Sequence, residues 1–315
     1  MPEAFRRACV SGGAGFIGSH LVRALLARGL DVVVLDDLSV GRADNVPPKA
    51  RLVRGDVLDA EAAREAVAGC DVVFHLAARV AIRSSFEFAV EDARVNFVGT
   101  ASLLRAAHAV GGVRRFVGTS SMAVYADAPS PDPIDERHPT APLSPYGISK
   151  LGAEQLVHTL GRQAGFATAV LRLFNTYGPG QALSPYVGVV TIFAHALLRG
   201  EPPSIFGDGE QRRDFVHVDD VVQAFVRTLD APASGETFNV GTGTGTSVNE
   251  VYAAVRRALE SPLAARHAPA VPGEVRYSVA NVGKARRLLG YAPERRFAES
   301  IGDVVAEIRA KAQTS

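Results

Sequence analysis

Short apolar runs alternate with longer amphipathic stretches over the first 175 residues, and this alternation restricts the fold more than any other feature. The apolar runs predict strands at 8–11, 31–36, 51–54, 71–77, 114–120 and 167–173. Helical patterns near 16–28, 60–68, 88–109 and 147–163 separate them. Runs that are apolar without alternation are typical of strands covered on both faces. The sequence therefore predicts an α/β fold with a Rossmann-type doubly wound parallel sheet.

A glycine-rich turn joins the first predicted strand to the first predicted helix. Its glycines stand at positions 12, 15 and 18, which is the spacing of a dinucleotide-binding turn. The N–H groups and the dipole at the start of the following helix favour bound phosphates. Asp36 and Asp37 end the next strand, where a carboxylate accepts hydrogen bonds from an adenosine ribose and repels a 2′-phosphate. We therefore predict that the chain binds NAD and not NADP.

Several other polar or glycine-containing segments also follow predicted strands. In a doubly wound sheet, ligands bind outside the carboxyl ends of the strands. The segments predicted to meet at that edge are Gly12–Gly18, Asp36, Asp56, Ala77–Arg79, Ser120–Ser121 and Phe174–Asn175.

The texture of the sequence changes after about residue 175, where glycine and proline become frequent. Short helices are predicted at 188–199, 219–230, 247–260, 281–289 and 297–312, and residues 237–240 resemble a further strand of the main sheet. We predict an NAD-binding Rossmann domain at 1–175. A smaller α/β substrate-binding lobe at 176–315 is expected to be interleaved with it.

The composition is that of a globular enzyme without a strong electrostatic field. Charged residues make up 21% of the chain and the formal net charge is +1, which argues against nucleic acid or an anionic membrane as a partner. The chain enters its first strand at once and has no apolar stretch of membrane-spanning length. Two cysteines without metal-ligand spacing are typical of buried thiols in a reducing compartment. We expect no metal site and a cytoplasmic location.

Tyr146 and Lys150 stand four residues apart within a predicted helix, with Ser120 and Ser121 about twenty-five residues upstream. Residues at i and i+4 share one helix face. A free tyrosine has a pKa of about 10, and a neighbouring cation lowers that value. The pair therefore predicts a tyrosine base that acts on an alcohol or sugar hydroxyl.

Six segments, in order along the chain, resemble the extended short-chain dehydrogenase/reductases. They are Ser11–Gly18, His75–Ala78, Ser120–Tyr125, Tyr146–Lys150, Arg172–Pro179 and Gly207–Asp220. The resemblance extends from about residue 8 to residue 291. Within that group the chain is most similar to NAD-dependent nucleotide-sugar epimerases of the UDP-glucose (UDP-galactose) 4-epimerase type.

This resemblance implies a role for each matching residue. Tyr146 would be the general base and acid at the sugar 4-hydroxyl, Lys150 would lower its pKa, and Ser121 would hydrogen-bond the reacting oxygen. The cofactor-binding residues would be Gly12, Gly15, Phe16, Ile17, Gly18, Asp36, Asp37, Leu38, Asp56, Val57, Leu76, Ala77, Ala78, Arg79, Asn96, Ser120, Tyr146, Lys150 and Phe174. The substrate-binding residues would be Arg83, Ser84, Ser121, Tyr146, Asn175, Val190, Phe206, Arg213 and Arg276.

Positions 122 and 123 separate related reactions. Dehydratases of this group place an acid pair there and decarboxylases a glutamate, whereas this chain has Met122 and Ala123. The resemblance therefore implies 4-epimerisation of a nucleotide-diphosphate sugar with retained NAD. The alternatives are a dTDP-6-deoxyhexose, UDP-N-acetylhexosamine or UDP-uronate 4-epimerase, a net NAD-dependent nucleotide-sugar oxidoreductase, and a cofactor-sensing protein. A homodimer built from the helices near 88–109 and 147–163 is also implied.

Two substrate contacts stay open at this point. The arginine that many epimerases carry before a Pro-Gly-Asp motif is missing, and Arg276 is the candidate replacement. The position thought to admit or exclude bulky 2-substituents falls on Ser278 or, one residue earlier, on Tyr277. The loop at 180–186 resembles that of epimerases acting on dTDP-6-deoxyhexoses.

Several residues have a structural interpretation beside the functional one. His75 is expected to be a packed core histidine, and Arg213 is a phosphate ligand or a surface charge. His217, Asp219 and Asp220 mimic a metal site, but Asp219 fits a helix N-cap equally well. The glycine-threonine repeat at 241–246 is expected to lead into a helix, since it lacks the lysine of a phosphate loop.

Overall fold

The computed structural model describes residues 4–80, 84–181, 188–232, 234–270 and 275–314. Its strands are β1 (Arg7–Ser11), β2 (Asp31–Asp36), β3 (Arg51–Arg54), β4 (Val72–His75), β5 (Arg115–Ser121), β6 (Ala167–Leu173), β7 (Asn175–Tyr177), β8 (Ser204–Phe206), β9 (Arg212–His217), β10 (Glu236–Val240), β11 (Gly245–Ser247), β12 (Arg266–Ala268) and β13 (Tyr277–Ser278). Its α-helices are α1 (Phe16–Ala27), α2 (Ala60–Val67), α3 (Ala89–Asp92), α4 (Gly99–Val110), α5 (Pro145–Ala164), α6 (Val189–Leu198), α7 (Val218–Asp230), α8 (Val248–Ala258), α9 (Gly283–Leu289) and α10 (Phe297–Thr314).

A seven-stranded parallel sheet forms the centre of the molecule, in the order β10-β6-β5-β4-β1-β2-β3. Helices α1, α7 and α9 pack on one face, where Leu21, Phe74 and Phe225 lie in one core. Helices α2, α4 and α5 cover the other face around Leu103 and Phe116. The predicted doubly wound sheet is confirmed, and every strand except the short β3 is buried along most of its length.

Helix α5 carries the predicted tyrosine and lysine, and its ends are encoded locally. Ser144 caps the helix by accepting a hydrogen bond from the N–H of Gly147 at 3.1 Å, and Pro145 occupies the first turn. Gly165 ends the helix in the left-handed conformation with φ of 79°. The helix therefore begins two residues earlier than the predicted start at 147.

The single helix predicted at 88–109 is wrong in detail. A π-helical turn at Ala93–Val98 separates α3 from α4. At the start of α4 a Cβ on Gly99 would lie 2.6 Å from Val57, so the helix passes close to the loop after β3. The widened turn changes the direction of side chains without breaking the helix axis, and it directs Asn96 into the protein.

The C-terminal region adds a strand and helices to the main sheet and also forms a lobe of its own. Strand β10 lies at one edge of the main sheet, which confirms the strand predicted at 237–240, and α7 packs against α1. A third core around Phe193, Phe215 and Val251 joins α6, α8 and α10. Two small sheets, β11-β9-β13 with β7 on β9 and β12-β8, complete this lobe. The boundary at residue 175 stays a prediction. Within the described ranges, no helix combines the length and apolar character needed to cross a membrane.

Candidate active site

The glycine turn lies between β1 and α1, at the carboxyl edge of the sheet. Gly12 has φ of 72°, and a Cβ there would lie 2.7 Å from the backbone nitrogen of Ala77. A Cβ on Gly18 would lie 2.1 Å from the carbonyl oxygen of Gly12. Gly15 caps α1 without a side-chain hydrogen bond, which leaves the first N–H groups of the helix without a side-chain cap. The turn therefore requires glycine for close packing and presents backbone donors to an anion.

Asp36 ends β2 beside this turn and is buried. One carboxylate oxygen accepts a hydrogen bond from the N–H of Ala14 at 2.9 Å, and the other accepts from the N–H of Leu38 at 2.9 Å. Burial raises the pKa of Asp36, and these two hydrogen bonds oppose that rise. Asp37 bonds Ser39 through its carboxylate. Each oxygen of Asp36 keeps a further lone pair, so a ribose hydroxyl is an additional partner that its chemistry accommodates.

The other predicted cofactor residues also lie along this edge of the sheet. Asp56 and Val57 follow β3, and Leu76–Arg79 follow β4. Ser120 is the second-last residue of β5, and Phe174 follows β6. The Oγ of Ser120, the Oγ1 of Thr119 and the Oδ1 of Asn175 are buried and have no hydrogen-bond partner within the described residues. Unpaired buried polar atoms at one edge of a sheet are a feature expected of a ligand site.

Tyr146, Lys150 and Ser121 come together where β5 meets the start of α5. The hydroxyl of Tyr146 is hydrogen-bonded to Ser121, whose Oγ also accepts from the N–H of Ala123 at 3.2 Å. A Cβ on Gly147 would lie 2.3 Å from the carbonyl oxygen of Ala123, so α5 can approach this segment only with glycine there. Tyr146 and Lys150 are both 5% exposed.

The expected lowering of the tyrosine pKa is not found in the protein by itself. Burial raises the pKa of Tyr146 to about 12, and the hydrogen bond from Ser121 only partly opposes it. Burial also lowers the pKa of Lys150 to about 8, while the nearby carboxylate of Glu154 raises it. Desolvation is the largest cause of both shifts because both groups are almost wholly removed from water. Tyr146 is thus a neutral phenol at neutral pH.

His75 ends β4 within a buried hydrogen-bonded chain. Its Nδ1 lies 2.7 Å from the Oγ of Ser11, and its Nε2 lies 2.9 Å from the Oγ1 of Thr100. Thr100 donates its hydroxyl proton to the carbonyl oxygen of Asn96, so Nε2 of His75 is the donor. Burial lowers the pKa of His75 to about 3. The interpretation of His75 as a packed core histidine is confirmed.

Asn96 connects two parts of the site. Its side chain accepts from the N–H of Arg79 at 2.8 Å and donates to the carbonyl oxygen of the same residue at 3.1 Å. It also donates to Ser149 at 3.0 Å, and Ser149 bonds the carbonyl oxygen of Tyr146. The π-helical turn therefore ties the segment after β4 to the start of α5.

Two of the three predicted substrate arginines, Arg213 and Arg276, have protein partners. The guanidinium of Arg213 donates to the carbonyl oxygens of Arg212 at 3.0 Å and of Val275 at 2.5 Å. Arg276 forms an exposed bidentate pair with Asp208 at 2.7 and 2.9 Å. Ser278 is buried on β13, whereas Tyr277 is half-buried. Their contacts with a substrate stay predictions.

The remaining predicted substrate residues lie in different parts of the molecule. Ser84 is half-buried after β4, Asn175 opens β7, and Phe206 ends β8. Val190 is buried in the core of the lobe. Arg83, most of the loop at 180–186 and residues 271–274 lie outside the described residues.

The glycine-threonine segment at 241–246 holds a carboxylate of the protein itself. The buried side chain of Asp214 accepts hydrogen bonds from Thr242, Gly243 and Ala280. The segment then enters β11 and α8, which begins with a capping box between Ser247 and Glu250. The expectation of a helix lead-in is confirmed, since Asp214 occupies the donors that a phosphate would need.

His217, not Asp219, is the N-cap of α7, so the N-cap expectation is wrong. The ring of His217 accepts a hydrogen bond from the N–H of Asp219 at 3.2 Å. Asp220 instead accepts from the N–H groups of Glu294 and Arg295. No cluster of potential metal ligands occurs in the described part of the chain.

The strand-edge residues fit a bound dinucleotide. The glycine turn leaves space for a pyrophosphate only where side chains are absent, and Asp36 stands at the end of the adjoining strand. Strand β5, which carries Ser120, packs against α5, which carries Tyr146 and Lys150. The Oγ of Ser120 and the Oδ1 of Asn175 are buried without a hydrogen-bond partner among the described residues. These features are the donor, acceptor and close-approach positions that a dinucleotide requires.

Comparison with known proteins agrees with this geometry. A model of the NAD dependent epimerase/dehydratase family matches residues 8–241. The chain belongs to this family. It is 40% identical to a UDP-glucose 4-epimerase of Mycolicibacterium smegmatis over 98% of this chain and 100% of that protein.

Solved structures show the same fold. The UDP-glucose 4-epimerase of Thermotoga maritima with UDP-glucose is 35% identical, with a TM-score of 0.93 over 97% of this chain and 99% of that one. The complex of the Thermus thermophilus UDP-glucose 4-epimerase with NAD is 37% identical, with a TM-score of 0.90 over 96% of this chain and 99% of that one. The protein is therefore an NAD-dependent enzyme of the isomerase class, with the fold of the extended short-chain dehydrogenase/reductases.

The family also contains enzymes with other outcomes. A dTDP-glucose 4,6-dehydratase of Streptomyces niveus is 34% identical over 95% of this chain and 91% of that protein. The residues of this chain therefore have to distinguish epimerisation from the reactions of such relatives.

Proposed function

We propose that the protein is a nucleotide-sugar 4-epimerase of the UDP-glucose type that retains its NAD. The observation that carries the proposal is the grouping of Tyr146, Ser121 and Lys150 beside Met122 and Ala123. The first three residues supply a base, a hydrogen-bonding hydroxyl and a cation. The last two supply no acid for a further step.

In the proposed reaction the protein residues would transfer the proton, and the cofactor would transfer the hydride. NAD, held by the glycine turn and Asp36, would supply the acceptor and then the donor of the hydride at C4 of the sugar. Tyr146 removes the proton of the 4-hydroxyl and gives it back, with Ser121 hydrogen-bonded to the same oxygen. Lys150 stabilises the ionised phenol, an effect that the positive nicotinamide ring adds to. Because the pKa of Tyr146 is about 12 in the protein without NAD and sugar, proton transfer is expected to depend on the loaded site.

Elimination and decarboxylation each need an additional group at the reacting sugar. Met122 has no titratable group. The N–H of Ala123 donates a hydrogen bond to the Oγ of Ser121, and its carbonyl oxygen lies close to Gly147. This segment therefore offers an intermediate no carboxyl group. Epimerisation needs no acid beyond Tyr146, which favours it over the outcome of the dehydratase relative.

The substrate is proposed to be a UDP-hexose. The chain is similar to UDP-glucose 4-epimerases over nearly its whole length. A small residue, Ser278, stands at the position proposed to face the 2-substituent, so a UDP-N-acetylhexosamine is the second candidate. A UDP-uronate is the third, because a structural relative 35% identical to this chain binds UDP-glucuronic acid and NAD.

We also propose a homodimer formed through α3, α5 and the π-helical turn. Large apolar side chains are exposed there, namely Phe86 (67%), Val90 (69%), Phe97 (40%) and Ile148 (60%). An exposed apolar cluster of this kind is typical of a protein interface. Pairing of two such faces would bury it.

The test is an assay of the purified protein without added NAD. UDP-glucose, UDP-N-acetylglucosamine, UDP-glucuronate and dTDP-rhamnose are each incubated, and proton NMR follows the configuration at C4. We expect the 4-epimer of UDP-glucose to form until equilibrium. Steady accumulation of NADH would instead identify a net oxidoreductase, and loss of water or carbon dioxide from the sugar would contradict the proposal.

A further inference from the structure

A buried ion pair lies directly behind the catalytic lysine. Glu154 stands one helical turn after Lys150 on α5, and Arg172 lies on β6. The guanidinium of Arg172 donates to both carboxylate oxygens of Glu154, at 2.8 and 2.7 Å. All three side chains are almost completely buried. The sequence analysis assigned no role to this pair.

Arg172 is fixed on its far side as well. Its guanidinium carbon lies 4.7 Å from the centre of the Tyr125 ring, and the Tyr125 hydroxyl donates to Asn239 on β10 at 2.5 Å. The pair thus connects α5 with the interior of the sheet. A bidentate arginine holds a carboxylate in one orientation and in its ionised form.

Glu154 stands four residues after Lys150 on the same face of α5, and it is the carboxylate among the described residues whose charge raises the pKa of Lys150. On α5, Tyr146 is a neutral phenol. On β4, His75 is uncharged because burial holds its pKa near 3. Asp92 acts on Tyr146 and is paired with Arg79 at 3.0 Å. Since burial lowers the pKa of Lys150 to about 8, its charge depends on Glu154.

We propose that Glu154, oriented by Arg172, is a positioning residue that keeps Lys150 charged in the buried site. Lys150 must be an ammonium to stabilise the ionised Tyr146, and removal of Glu154 would let it lose its proton at lower pH. The inference rests on the proposed function, because it assigns a task to the lysine of that site.

The test measures the titration of Lys150 itself. The chain has four lysines, Lys49, Lys150, Lys284 and Lys311, and of these only Lys150 is buried. Protein labelled with ¹³C at the lysine ε-carbons and saturated with NAD is titrated by ¹H–¹³C NMR. In Glu154→Gln the midpoint of Lys150 is expected to fall by about one pH unit, since a charge this close changes a pKa by roughly that much.

Control variants separate this effect from a structural one. Glu65→Gln removes an exposed glutamate that pairs with Arg51 and should leave the Lys150 midpoint unchanged. If Glu154→Gln does not fold, Glu154→Leu/Arg172→Met removes both charges without leaving one unpaired. A smaller fall of the Lys150 midpoint is then expected, because the loss of Arg172 removes a repelling positive charge as well. A midpoint equal to that of the wild type, or higher, in the variant that folds would overturn the inference.

The titration needs no turnover, so it is independent of the proposed function. A wild-type protein that epimerises no nucleotide sugar would refute the proposed reaction and leave the Lys150 measurement valid. In an active enzyme, the alkaline limb of the kcat profile should move to lower pH in Glu154→Gln by the same amount as the midpoint. If the pair has only a structural role, Glu154→Gln would lower Tm and leave both the Lys150 midpoint and the alkaline limb of the kcat profile unchanged.

Discussion

In the proposed mechanism, Tyr146 is a base that stays a neutral phenol until NAD and the sugar bind. Its burial favours the neutral phenol, and only Ser121 opposes that effect in the protein alone. A bound cofactor and a charged Lys150 would favour the phenolate at the moment when a sugar hydroxyl is present. In the empty site, Tyr146 therefore stays in its neutral form.

Replacement of this phenol gives the first prediction. Tyr146→Phe is expected to lower turnover by at least ~10²-fold, because general acid–base groups contribute about that much. NAD should stay bound, as judged by the nucleotide released on denaturation. The matched control is Tyr252→Phe, which removes a hydroxyl bonded to Leu263 in the lobe. A Tyr146→Phe rate equal to that of the control would remove Tyr146 from the mechanism.

His75 gives a prediction for stability against pH. Its pKa falls from the ordinary value near 6.5 to about 3 on folding, so only the unfolded state takes up this proton between those values. Stability is therefore complete above about pH 6.5 and falls as the pH decreases towards 3. Between pH 6 and 4 the free energy of unfolding of the wild type should fall more steeply than that of His75→Asn, by ~1.4 kcal/mol per pH unit. The free energy of unfolding is measured by urea denaturation at each pH. An equal dependence of this free energy on pH in the two proteins would contradict the assignment.

Individual residues differ in how well the sequence predicts them. The glycine turn, Asp36 and the Tyr146–Lys150 pair could each be picked out from residues that are close together in the sequence. Glu154 was missed although it stands at i+4 from Lys150, because its partner Arg172 becomes a neighbour only when β6 packs under α5. A carboxylate one turn beyond a catalytic lysine, on the same helix face, is the signal that was available.

At the scale of elements, the first helix and its turn depend on the absence of a single methyl group. Gly18→Ala would place a Cβ 2.1 Å from the Gly12 carbonyl oxygen, so the turn must shift. We expect weakened NAD binding and a loss of roughly 1–3 kcal/mol in stability. Both are measured by calorimetry, with and without NAD.

The matched control is Gly302→Ala in α10. Nothing lies within 4 Å of a Cβ there, so this exposed helical substitution should raise stability slightly, by up to about 1 kcal/mol, and leave NAD binding unchanged. Equal effects of the two substitutions would show that the close packing at Gly18 is not required.

Long elements were predictable and short ones were not. The parallel strands and the helices of the main sheet have clear periodicity, whereas strands of two or three residues such as β8, β12 and β13 are too short to show any. The π-helical turn at Ala93–Val98 places Asn96 against the backbone of Arg79 after β4, a long-range contact that no local propensity records. The N-cap of α7 was misassigned because His217 and Asp219 both offer acceptors near the same N–H groups.

At the scale of the whole molecule, the proposed dimer follows from an exposed apolar face. Ile148→Asp is expected to convert a dimer into a monomer, because a buried unpaired carboxylate at such an interface is costly. Light scattering after size-exclusion chromatography measures the mass. The control is Leu288→Asp on α9, a partly exposed leucine on another face, which should leave the mass unchanged. A wild-type protein that is already monomeric at high concentration would contradict the proposed dimer.

The overall architecture was largely predictable, including the return of β10 to the main sheet. The small sheets of the lobe were not, because their pairings join segments that are far apart in sequence, such as β7 with β9 and β9 with β13. Several residues proposed to bind the sugar, such as Phe206 and Arg213, lie on these small sheets. The main sheet and the NAD cofactor were predictable from local patterns, whereas the sugar contacts stay predictions.

The fate of the hydrogen at C4 tests the central claim most directly. UDP-glucose carrying deuterium at C4 is incubated with the purified protein in ordinary water, and both epimers are analysed by mass spectrometry and NMR. A Tyr146-dependent 4-epimerase with resident NAD should yield the 4-epimer with its deuterium retained and no reduced cofactor in solution. Formation of an epimer that has lost its deuterium to water, or of no epimer from any nucleotide sugar, would contradict the account.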